Sequence, residues 1–245
     1  MATLYRLNFL AALLLLAATG PAAGGEFADG TGFSITYPDE WVALRNDQLG
    51  DLRKLLPTDF TEWVRRNNLD LKRIEVLIVC PGRGEFFDSL NLIIDDHQVP
   101  LTDKAIGQVA DELIGVYAKM GVTVEDFRAR ADRVGPRDAV VIDFTSRFPD
   151  DPLLYRHRQV LIPGGGRTYI VTCSSTAAAF DQHAAAFDAM LASVKAPPPA
   201  GKPFPMDGVV RIVLFAVVFA IAGGVARAAG TIVSYLRTRR RGAEE

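Results

Sequence analysis

Three histidines, His97, His157 and His183, and two cysteines, Cys80 and Cys173, are the side chains here best suited to metal binding or proton transfer. No two histidines stand at the helical spacing that pairs metal ligands, and the cysteines are too far apart for a zinc knuckle. The densest polar cluster is Asp95-Asp96-His97, at the end of a predicted strand. Successive side chains of an extended chain point to opposite faces, so only Asp95 and His97 can share a ligand. The plainer reading is a solvated strand end. Gly164-Gly165-Gly166 resembles a phosphate loop in composition, but such a loop needs a helix after it. A strand pattern follows instead, so the glycines read as a hairpin turn. Ser174 and Ser175 lack the G-x-S-x-G elbow of a serine hydrolase, and no His/Asp pair is identifiable around them. The sequence thus predicts no catalytic residues, no metal site and no cofactor.

The cysteines leave two readings open. Both fall in a part of the chain that reads as exported, where a lone pair can close a disulfide if the Cα atoms come within ~7 Å. Two buried thiols behaving as small apolar side chains are the alternative. Trp41 and Trp63 read as packing residues, with an interface role as the other possibility. Arg147, Arg156, Arg158 and Arg167 alternate so as to line one sheet face with a basic strip, although ordinary strand polarity explains the same pattern. A net charge of -2 with mixed signs throughout points away from nucleic acid as a partner.

The elements that must position these groups are legible in outline. Phe33-Ser-Ile-Thr-Tyr37 alternates and stops at Pro38, which predicts a strand, with Trp41–Leu44 as its hairpin partner. Leucines 49, 52, 55 and 56 predict a short helix, and Thr58 caps a second one carrying Phe60 and Trp63. Ile74–Cys80 and Leu90–Ile94 read as strands around a loop. Thr102 opens the clearest helix, with Ile106, Val109, Leu113 and Tyr117 on one face and Gly121 as its C-terminal glycine. Four strands follow, over Val122–Val134, Ala139–Phe148, Leu153–Ile162 and Thr168–Cys173. A last helix, Ala178–Val194, has Ser174, Ser175 and Thr176 available as caps.

Two apolar ends flank this material. Residues 1–25 have Arg6, an apolar run from Leu7 to Ala18, and small residues after Pro21, the pattern of a signal peptide. Cleavage near Ala22–Gly24 is the expected outcome, and an uncleaved anchor is the alternative. Val209–Leu236 is long and apolar enough to predict a transmembrane helix. Arg237, Arg239, Arg240 and Arg241, in the tail 237–245, set its C-terminus on the cytoplasmic side. Ala216, Ala220, Gly224 and Ala228 form a small-residue packing face on it. Between domain and helix, residues 196–208 read as a proline-rich spacer. The expected product is a single-pass membrane protein with an extracytoplasmic, periplasmic domain over 26–195.

The opening FSITYPDEW, the long middle helix, the hairpin VLIPGGGRTYIVTCSS and the closing helix ending LASVK together resemble the PsbP-like family, which takes in DcrB-like exported domains. The resemblance covers most of residues 30–195. It implies an α/β/α sandwich around an antiparallel sheet, here an α+β chain with the C-terminal transmembrane helix added. It also implies binding or assembly work on a protein partner, because such domains mostly lack an active site. The rival expectation is a sensor domain for a small molecule or ion.

Overall fold

The computed structural model describes residues 25–47, 49, 62, 71–80, 88–149 and 151–201. Among the described residues, nine strands and two α-helices follow in the order β1 (Glu26–Ala28), β2 (Ser34–Thr36), β3 (Val42–Arg45), β4 (Ile74–Val79), β5 (Ser89–Asp95), α1 (Asp103–Lys119), β6 (Thr123–Val134), β7 (Arg137–Arg147), β8 (Tyr155–Gly164), β9 (Arg167–Thr176) and α2 (Phe180–Ala192). Seven strands make one antiparallel sheet in the order β3-β4-β5-β9-β8-β7-β6. β9 is the strand that enters out of turn, between β5 and β8, so the last strand of the chain closes the middle of the sheet.

The two faces are set by alternation along the central strands. Phe144, His157 and Gln159 point one way, and Tyr117 of α1 packs its ring 5.4 Å from that of Phe144. Val141, Val160, Val171 and Cys173 point the other way, into a cluster with Phe180, Phe187, Met190 and Leu191 of α2, and Arg158 shares their face. Among the described residues one α-helix therefore packs on each face, and each does so with an apolar stripe. α1 starts as expected: Thr102 is its N-cap and accepts from the Ala105 amide, and Gly121 follows its end at φ +74°. α2 does not. Ser174, Ser175 and Thr176 belong to β9, and Ala179 takes the N-cap position without a side-chain bond.

Three further expectations are corrected. The hairpin of Phe33–Tyr37 with Trp41–Leu44 does not form. β2 pairs with β1 in a separate two-stranded ribbon, while β3 pairs with β4 at the edge of the large sheet. Alternation identified both segments as strands but carries no information about which partner each takes. The expected transmembrane helix is also overturned as part of this fold. Among the described residues no helix is long and apolar enough to cross a membrane. α1 and α2 have 17 and 13 residues, and each carries charge on its outer face. Residues 209–236, with Ala216, Ala220, Gly224 and Ala228, lie outside the described residues. So do residues 1–24, Trp63 and Arg237, Arg239, Arg240 and Arg241.

The third correction concerns the proline segment. Over Ala196–Ala200 it is docked on the domain. Pro198 O accepts from the Gly165 amide at 2.8 Å, Gln98 exchanges two hydrogen bonds with the Ala200 backbone, and the Arg137 guanidinium donates to Ala196 O. The three glycines fit both this contact and the turn. Gly165 and Gly166 have φ of +59° and +81°, as a two-residue turn of the I′ type needs, and a Cβ on Gly164 would meet Pro197 O at 2.5 Å.

Candidate functional site: a charged groove beside α2

α2 covers β9 and the middle of the sheet but leaves the β6–β7–β8 side of its face open. Apolar residues would be exposed there, and the strands change composition accordingly. Arg156 and Arg158 occupy alternate positions of β8, Asp143 lies opposite Arg158 on β7, and Arg130 and Asp132 alternate on β6. Asp181 and Asp188 come down from α2. The resulting groove encloses about 280 Å³ between the β6–β7 turn and the second half of α2.

Five of these charges form one connected network, and Arg156 with Asp181 makes a separate pair. Asp143 accepts from Arg158 Nε at 2.8 Å and from Arg130 Nη1 at 2.9 Å. Arg158 Nη1 continues to Asp188 at 2.8 Å, and Arg130 Nε to Asp132 at 3.1 Å. Arg156 pairs with Asp181 at 2.9 Å and lies 4.7 Å over the Phe180 ring. Burial alone raises the Asp143 carboxyl, but the hydrogen bonds from Arg158 and Arg130 outweigh it and hold the group below the usual carboxylate range. For Arg158 burial opposes the charge, and the Asp143 bond restores it.

Arg133, at the mouth of the groove, faces Asp138 at 3.8 Å. Both signs therefore line the groove, which makes it a mixed-charge surface and not an anion trap. Its outer wall is β6, a sheet edge of 12 residues, largely exposed and rich in charge, as edges that avoid indiscriminate strand pairing are.

The arginines singled out in the sequence are not a continuous basic strip. Arg158 lines the groove, Arg156 pairs with Asp181 at the start of α2, Arg167 pairs with Asp96 at 3.4 Å beside the β8–β9 turn, and Arg147 is exposed at the far end of β7. The aspartates between them come from β7 and α2, which no local spacing reveals. Asp95 and His97 do meet, with Asp95 Oδ1 accepting from the His97 amide at 2.9 Å and lying 2.8 Å from its Nδ1; Arg73 is 3.9 Å from Oδ2. Among the described residues no three His, Cys, Asp or Glu side chains are placed to hold a metal ion.

Two serine–histidine contacts were invisible in the sequence. His157 Nδ1 lies 2.9 Å from Ser174 Oγ and Nε2 lies 2.8 Å from Ser146 Oγ. Its ring stacks on Phe144 at 4.7 Å. It is fully buried, and burial pulls its pKa down to about 3, so it is a neutral core group with both nitrogens occupied. Ser175 instead donates to Asp88, whose other oxygen is 3.0 Å from His183 Nε2. In a catalytic triad the imidazole stands between hydroxyl and carboxylate; here the carboxylate is central, so the imidazole is not placed to take the serine proton.

The candidate disulfide is not formed: Cys80 and Cys173 are free thiols. β5 lies between their strands. At ~4.8 Å per strand they stand beyond the ~7 Å that a bond allows. Burial raises both thiols, Cys80 to about 11, which leaves neither a ready nucleophile. Trp41 is a core residue, 5.7 Å edge-on to Phe187.

The chain is similar in structure to cyanobacterial PsbP (CyanoP) from Synechocystis sp. PCC 6803, at 13% identity and a TM-score of 0.46, over 72% of this chain and 94% of that one. It is similar to a protein from Bacteroides thetaiotaomicron VPI-5482, at 14% identity and 0.43, over 74% of this chain and 51% of that one. A third is LpqN, involved in cell envelope biogenesis of Mycobacterium tuberculosis, at 13% identity and 0.41, over 71% and 90% of the two chains. A PsbP, the family whose pattern the sequence resembles, is thus among these structures. No protein-family model matches the chain, and no curated protein matches it.

Proposed function

We propose that residues 26–195 are a non-catalytic binding module that works outside the cytoplasm and docks on a protein partner in an envelope complex. The observation that carries this reading is the groove lined by Arg130, Asp132, Arg158 and Asp188, whose two arginines are held by Asp143. It is open to solvent, ordered by its own ion pairs and lined by both signs. Such a surface selects a partner by charge register more than by net charge. The signal-peptide pattern of residues 1–25 supports the extracytoplasmic setting.

The test is mild crosslinking followed by purification of the full chain, comparing wild type with Arg133→Glu and Asp132→Lys. Both positions are exposed at the groove and replaceable at little cost to the fold. Lys119→Glu, at the end of α1 on the other face, is the control. A partner captured by wild type and the control but lost from both groove variants supports the docking role. Equal capture by all four excludes the groove as the binding surface.

A further inference from the structure

On the α1 side of the sheet, three neighbouring strands turn polar where a covered sheet is ordinarily apolar. Ser89 and Asn91 of β5 stand opposite Ser174 and Thr172 of β9, and these stand opposite His157 and Gln159 of β8. None of the six is more than 2% exposed. On the other face the same strands carry Leu90, Leu92, Val171 and Val160.

In the β8–β9 half of this row His157 bonds two serines and Gln159 Nε2 donates to Thr172 Oγ1 at 3.0 Å. Ser89 and Asn91 in the β5 half have no such side-chain bonds among the described residues. Asn91 Nδ2, Asn91 Oδ1 and Ser89 Oγ are all buried with no partner among the described residues. A buried polar group left dry costs roughly 1–3 kcal/mol, and a carboxamide has two ends to satisfy. Native interiors do not ordinarily keep such groups unless something meets them.

We propose that Asn91 and Ser89 form an internal binding site for a small neutral molecule that donates one hydrogen bond and accepts another. Asn91 Oδ1 accepts from it, Nδ2 donates to it, and the Ser89 hydroxyl turns to either role. The row carries no charge, since His157 is neutral, so it does not suit an ion. Water and a small amide or hydroxylated solute share the required chemistry.

Asn91→Leu, which keeps the number and branching of the side-chain heavy atoms, separates a filled site from an empty one, since an apolar residue relieves an empty site and abolishes a filled one. In the full chain, the filled site predicts a melting temperature lower by roughly 4 °C or more. In the wild type, water is detected by magnetisation transfer from solvent to the Asn91 side-chain amide protons. A solute is detected by millimolar acetamide raising the melting temperature of wild type but not of Asn91→Leu. Either signal together with the lower melting temperature supports the site and tells its two occupants apart. An unchanged or higher melting temperature in Asn91→Leu, or the absence of both signals in wild type, overturns it.

Discussion

Asp143 and Arg158 face each other directly across the β7–β8 ladder, and that single carboxylate also holds Arg130 of β6. Three strands and, through Asp188, one helix thus meet at one side chain. Exposed ion pairs contribute little singly, about 0.2–1 kcal/mol. Asp143 is only 21% exposed, however, and removing it sets two guanidinium groups against each other. Asp143→Ala should therefore lose about 1–2 kcal/mol at neutral pH, measured by urea unfolding. The folded-state pKa of Asp143 lies below its usual value. Its contribution is full above the unfolded pKa of ~3.9 and is lost as pH falls through the folded value, so the gap between variant and wild type should close in acid. A gap independent of pH excludes the ion-pair account.

His157 makes a second acid-sensitive element, of opposite chemistry. It is buried neutral with a pKa of about 3, against the ordinary imidazole value of 6.5. Between those values the unfolded chain binds a proton that the folded one does not. Stability is therefore whole above pH ~6.5 and falls on acidification by roughly 1.4 kcal/mol per unit until the folded group titrates. His157→Phe keeps the ring against Phe144 but strips Ser146 and Ser174 of their partner, for a loss of about 2 kcal/mol at pH 7. Its stability should then vary less between pH 6.5 and 3 than that of the wild type, read from parallel denaturation curves.

The cysteines give a direct chemical test. Thiol titration of the unreduced chain in denaturant should count two groups. Under native conditions Cys173, fully buried with its thiol pushed up, should react only as fast as the sheet opens, and the half-buried Cys80 first. A count of zero in denaturant establishes the disulfide and requires the β4–β5–β9 register to change.

What was legible in the sequence was local. Thr102 and Gly121 marked the ends of α1, and alternation placed β4 to β9 within a few residues. Pairing was not legible, because it is decided by contacts far apart in the chain. β1, three residues of EFA, has no pattern of its own until β2 pairs with it. The insertion of β9 beside β5 brings Ser174 to Ser89 and Ser175 to Asp88, meetings that the spacing of neither partner announces. The basic strip failed for the same reason: alternation gave Arg156 and Arg158 correctly, while the aspartates that neutralise them arrive from β7 and α2.

The docked proline segment yields a last test. Gly164 and Gly165 differ from Gly166 in what lies over them: Pro197 O is 2.5 Å from where a Gly164 Cβ would stand, and Pro198 O takes the Gly165 amide. A side chain at Gly166 meets only Ala200 Cβ at 3.8 Å, although its φ of +81° strains any L-residue. Gly164→Ala should therefore lift Ala196–Ala200 from the turn, whereas Gly166→Ala should strain the turn by about 1 kcal/mol and leave the segment in place. Hydrogen exchange separates the two. The Gly165 amide should exchange roughly tenfold faster or more in Gly164→Ala, since losing ~1.4 kcal/mol of local stability is a tenfold change, and should stay protected in Gly166→Ala. Equal protection in both variants means that the segment is held by Gln98 and Arg137 alone, and Gln98→Ala should then release it.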